Sequence, residues 1–96
     1  MKYMVQWRIH DDKRHEALKV FSGIHSTDDE IGASDVNLIG RWHDVIGFTG
    51  VGIVETDNPE AMSKWLLSWN QICDIEAIPV FDDEETRKLG REFLGK

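Results

Sequence analysis

The sequence reads as one small α+β domain with the element order βαββαβ and an extra helix at its C-terminal end. Residues 2–9 alternate apolar and polar side chains with period two, the signature of a half-buried strand. Two later stretches place apolar residues at helical spacing. Between them lie two strand-like runs joined by only five residues, which predicts a hairpin.

In the first strand, Tyr3, Val5, Trp7 and Ile9 share one face, and Met4, Gln6 and Arg8 share the other. Asp11-Asp12 then offers a helix N-cap, and Ala17, Leu18, Phe21 and Ile24 follow on one helical face. Gly23 ends that helix, and the polar, acidic stretch from Ser26 to Ser34 forms the longest loop. Strands are expected over residues 36–43 and 49–55, with Asp44-Val45-Ile46-Gly47-Phe48 as the connection. Asn58 caps a second helix with Pro59 in its first position, and Met62, Trp65, Leu66 and Trp69 line one side of it. A fourth strand is expected over residues 72–81, where Pro79 lacks a ladder donor and points to a sheet edge. Asp82-Asp83 caps the terminal helix, which carries Leu89, Phe93 and Leu94.

This order is the split βαβ pattern of ferredoxin-like domains, with a four-stranded antiparallel sheet and both helices on one face. Apolar residues occur on both parities of several strands: Met4 beside Tyr3 and Val5, Ile39 beside Leu38, Ile53 beside Val54. The second sheet face is therefore expected to be covered as well, most simply by a second copy packed sheet to sheet around a two-fold axis.

Composition limits the function classes. Ninety-six residues make a single domain spanning 1–96, of which 41% are hydrophobic and 30% charged. The net charge of −7 disfavours a nucleic-acid partner, because phosphate contacts need clustered Lys and Arg. No apolar run reaches the roughly 20 residues of a membrane span, and the N-terminus reads as a strand and not as a signal peptide. With Cys73 the sole cysteine, no internal disulfide can form, and a cytoplasmic location is expected. Cys73 itself reads as a buried strand residue. The acidic runs 28–30 and 82–85 read as solvated segments, and no spacing of His10, His15, His25 or His43 makes a metal motif.

The residues that could carry chemistry lie in Gly40-Arg41-Trp42-His43. Period two puts Asn37, Ile39, Arg41 and His43 on one face and Val36, Leu38, Gly40 and Trp42 on the other. Arg41 and His43 are then roughly 7 Å apart along the strand. A symmetric hairpin brings Gly52 beside Arg41 and Gly50 beside His43, leaving a hollow next to a guanidinium and an imidazole; a register slip of one residue would move the glycines toward Trp42. Such a hollow suits a small anionic or carbonyl-bearing molecule, with Arg41 as planar donor and His43 as donor or proton carrier. The competing reading pairs Arg41 with a carboxylate such as Glu55 or Glu76 and leaves His43 at the strand end. The four tryptophans divide between core or interface duty and an apolar pocket wall. Gly50-x-Gly52 opens a strand and is no dinucleotide fingerprint.

Four segments, Lys2-Tyr3-Met4-Val5-Gln6-Trp7, Gly40-Arg41-Trp42-His43, Val54-Glu55-Thr56-Asp57-Asn58-Pro59 and Pro79-Val80, resemble a small bacterial family, the domain-of-unknown-function 3303 family. Further out, the pattern is similar to the dimeric α/β-barrel superfamily of cofactor-free monooxygenases, haem-degrading monooxygenases, small isomerases and ligand-sensing domains. That resemblance implies a pocket between sheet and helices in each protomer of a homodimer. The haem degraders' Asn, Trp and His do not map onto Asn70, the tryptophans and His43 position by position, so no cofactor is carried over. Within such a pocket the candidate ligand contacts are Trp7, Arg41, His43, Gly50, Gly52, Trp69 and Asn70, and the candidate catalytic pair is Arg41 and His43. Three readings follow: a small-molecule binding module, a cofactor-independent monooxygenase or isomerase, and a structural or stress-associated dimer.

Overall fold

A computed structural model describes residues 1–23 and 35–95. The strands are β1 (Lys2–Ile9), β2 (Asn37–Asp44), β3 (Thr49–Glu55) and β4 (Cys73–Val80), and the helices are α1 (Arg14–Ser22), α2 (Pro59–Trp69) and α3 (Asp83–Leu94). The four strands form one sheet in the order β2-β3-β1-β4, and every neighbouring pair is antiparallel. The architecture is α+β, as expected. Ile24, His25 and the 26–34 loop lie outside the described residues. Among the described residues no helix is long and apolar enough to cross a membrane.

Local chemistry explains where α2 and α3 begin. The Asn58 side chain accepts the Ala61 N–H at 3.0 Å and caps α2 one residue before Pro59. Buried Thr56 donates to the Asp35 carbonyl at 2.6 Å and accepts the Asn58 N–H at 2.9 Å, tying the approach to β2 to the start of α2. Asp82 and Glu85 form a reciprocal capping box on α3, each side chain accepting the other's backbone N–H. The expected Asp11-Asp12 cap on α1 is different. Those residues form a 3₁₀ turn over Asp11–Lys13, and the Asp11 carboxylate is ion-paired with Arg14 at 3.2 Å instead of capping the helix.

The core lies between the sheet and the helices. Val5, Val36, Val54 and Met62 are its buried centre, with Tyr3, Trp7, Leu38, Trp65, Leu66 and Ile75 packed against it. Both parities of β1 behave as the alternation requires, since Tyr3, Val5 and Trp7 pair with Val54, Gly52 and Gly50 on the helix side. Pro79 sits in β4, an edge strand, opposite Tyr3.

Strand β2 departs from strict alternation. Its register shifts between Leu38 and Gly40, so Ile39 is the extra residue of a β-bulge. Leu38 faces Val54 on the helix side, and after the bulge Arg41 and His43 face Gly52 and Gly50 on that same side. The expectation that Leu38 would oppose Arg41 is thereby corrected, because one inserted residue reverses the parity of everything before it. The open sheet face carries Trp42, which is 60% exposed and lies back over Gly40, together with Ile78 and Met4. In α3 no residue is buried, and Leu89, Phe93 and Leu94 are all exposed.

Candidate functional site

The hairpin register is the symmetric one: Arg41 pairs with Gly52 and His43 with Gly50. The space vacated at Gly50 is nevertheless filled. The Trp7 indole crosses from β1 and lies on Gly50, where a Cβ would collide with it, and its rim reaches within 3.8 Å of a Cβ at Gly52. The glycines are thus seats for an indole, and the hollow expected directly above them is absent.

The open volume lies one layer up, between the indole-covered sheet and helices α1 and α2. It is a cavity of about 110 Å³. Its wall is predominantly apolar: Val5, Trp7 and Ile9 from β1, Phe21 from α1, Trp65 and Trp69 from α2, and Phe48 from the hairpin connection. Arg41 and His43 contribute from β2. Of the residues expected to touch a ligand, Trp7, Arg41, His43 and Trp69 line this cavity. Gly50 and Gly52 support it from beneath. Asn70 terminates α2, its backbone N–H donating to the Leu66 carbonyl at 3.1 Å, and is not part of the wall.

Phe21 organises the polar end. The Arg41 guanidinium lies 4.8 Å from its ring centroid, a cation–π distance, and the His43 imidazole lies 4.8 Å from the same centroid. His43 also packs in an edge arrangement with Trp7, ring centroids 5.6 Å apart, and the Phe21 and Trp69 centroids are 6.4 Å apart. These contacts make one aromatic cluster spanning β1, β2, α1 and α2. His43 is exposed and stands at the rim of the cavity, which opens to solvent, in place of the closed pocket the catalytic reading requires. Glu55, considered as a partner for Arg41, is engaged with Lys2 at 3.9 Å.

Three other wall residues bear on chemistry. Burial raises the Cys73 thiol to about 11, with the Asp74 charge adding to the shift, and the thiol donates to the Trp69 carbonyl at 3.3 Å. It is a neutral structural group at ordinary pH, as its sequence context suggests. Asp44 has its carboxyl held below the usual value by the N–H groups of Gly47 and Ile46, which donate to one carboxylate oxygen at 2.9 and 3.0 Å and close the hairpin turn. Trp65 keeps its Nε1–H buried with no acceptor among the described residues, a loss of about 1–3 kcal/mol for a donor of this kind.

With this geometry in view, comparison with known families is decisive for membership. The family described as Domain of unknown function (DUF3303) matches residues 1–94. The chain belongs to this family. No curated protein and no solved structure matches it. Of the DUF3303 cavity residues, Phe21 is legible in the sequence only as an apolar helix position, and Trp65 as a helix position open to either core or pocket duty. Phe48 had been legible only as one residue of a short connection.

Proposed function

We propose that this DUF3303 protein binds a small molecule with an apolar body and an anionic or carbonyl end in the cavity between its sheet and helices. The single observation that carries this reading is the shared engagement of Arg41 and His43 with Phe21 at one end of a predominantly apolar wall. Apolar cavities with a few convergent polar groups are the usual architecture of small-molecule sites. The guanidinium offers planar donors to a carboxylate or carbonyl, and the imidazole a second donor. An enzymatic role as a cofactor-independent monooxygenase or isomerase would ask His43 to move a proton in a dry site. Its place on an open rim favours binding over turnover.

The test is thermal denaturation against a panel of small aromatic and aliphatic carboxylates and ketones, benzoate among them, with native mass spectrometry of the protein as purified. A ligand at a hundred times its Kd should stabilise by about 2.7 kcal/mol. A panel without effect, together with a bare protein mass, overturns the reading.

We propose further that the domain is ferredoxin-like and works as a homodimer, with a second copy as the occupant of its open face. Among the described residues, two apolar surfaces lack cover: the sheet face bearing Trp42 and Ile78, and the α3 stripe of Leu89, Phe93 and Leu94. Helices of 12 residues are marginal in water without a surface to pack on. At ~18 Å, α3 is long enough to lie across a four-stranded face ~14 Å wide. Sedimentation should give a dimer for the wild type and a folded monomer for Trp42→Glu or Phe93→Asp. A wild-type monomer at micromolar concentration overturns the homodimer.

A further inference from the structure

Phe48 is the described non-glycine residue with a left-handed backbone, φ 56°. Nothing about the connection demands an aromatic there. The turn is already closed by the Asp44 carboxylate, and Phe48 is fastened to the end of β1 by its carbonyl, which accepts the Ile9 N–H at 2.9 Å. Glycine or asparagine would meet the same backbone requirement without the steric penalty that a bulky side chain carries in this region. A strained conformation held by its surroundings points to something the side chain does.

The ring accounts for it. It is held from the α1 side by the Arg14 guanidinium, 5.4 Å from its centroid, and by the His15 ring at 5.7 Å, and it lines the cavity. Arg14 in turn keeps its Nε buried without a hydrogen-bond partner among the described residues, a second local cost at the same spot. Two unfavourable features are therefore tolerated where one aromatic ring forms the hairpin end of the cavity wall. The cavity of about 110 Å³ is somewhat smaller than the 150 Å³ engineered cavity known to hold benzene.

We infer that Phe48 is the size-selecting wall of the site, its ring limiting the ligand to a single-ring acid or a molecule of similar length. This rests on the ligand-binding reading above. Removing the ring while satisfying the left-handed backbone should lengthen the cavity toward the hairpin.

The experiment is calorimetric titration of benzoate and 2-naphthoate into the wild type, Phe48→Asn and Phe48→Leu. The wild type and Phe48→Leu, which keeps most of the volume, should prefer benzoate at least tenfold. Phe48→Asn should gain tenfold or more for 2-naphthoate and lose benzoate affinity. Phe48→Gly replaces it if the Asn variant does not fold. An unchanged preference across folded variants overturns the role of Phe48 and leaves the binding site standing. Binding of neither acid to any variant, wild type included, overturns the role of Phe48, and a silent carboxylate and ketone panel with a bare protein mass overturns the binding site as well.

Discussion

Trp7 and Gly50 face each other across β1 and β3, and the indole of the first occupies the space in which a side chain of the second would stand. That relationship sets the floor of the cavity. A Cβ at position 50 would also meet the Trp42 carbonyl at 2.9 Å, so neither the ring nor the backbone can yield cheaply. Gly50→Ala should therefore destabilise by about 1–3 kcal/mol through overpacking. Gly52→Ala, whose new atom would first meet the Gly40 carbonyl at 3.3 Å, should cost less. Denaturant midpoints of the two variants decide it, and equal losses would contradict the seating of Trp7 on Gly50.

Arg41→Lys keeps the charge but loses the planar fork and its stacking on Phe21. Affinity for a carboxylate ligand should fall about tenfold, equivalent to about 1.4 kcal/mol. His43→Ala should leave the folding midpoint within about 1 kcal/mol, because the imidazole is exposed and its ring contacts are modest. A loss of several kcal/mol in the unliganded His43→Ala protein would make the residue structural.

Cys73 should resist iodoacetamide at pH 8 in the native state and react on denaturation. Its folded value of about 11 lies above the ordinary 9.0. The folded protein therefore holds the proton more tightly, and this group's contribution is intact below pH 9.0 and lost as pH rises toward about 11. Rapid native alkylation would place the thiol in solvent and remove it from the cavity wall.

The Asp44 carboxylate has the opposite sign. Its folded value is lowered from 3.8, so the turn it closes is supported above that pH and released as pH falls through the lower folded value. Asp44→Asn keeps an acceptor for the Ile46 and Gly47 N–H groups and should preserve the hairpin, whereas Asp44→Ala should not. Amide exchange at residues 46 and 47 separates the two outcomes.

The sequence by itself determined the element order, the Asn58 and Asp82 caps and the two faces of β1, and it left two hairpin registers open, of which the structure holds the symmetric one that sets Arg41 opposite Gly52. The determined features follow from local rules: period two in strands, period 3.6 in helices, and side-chain acceptors at helix starts. Only the tertiary structure decided what those residues enclose. The bulge at Ile39 depends on how β2 meets β3, and it returns Leu38 to the side of Arg41 and His43. The indole on Gly50 comes from a strand more than forty residues away, and so turned an expected hollow into a floor. Phe21 and Phe48 reach the cavity because α1 and the hairpin connection converge on it. Cross-element placement of bulky rings is a packing outcome, fixed by the shapes of several elements at once, and no periodicity within one segment encodes it.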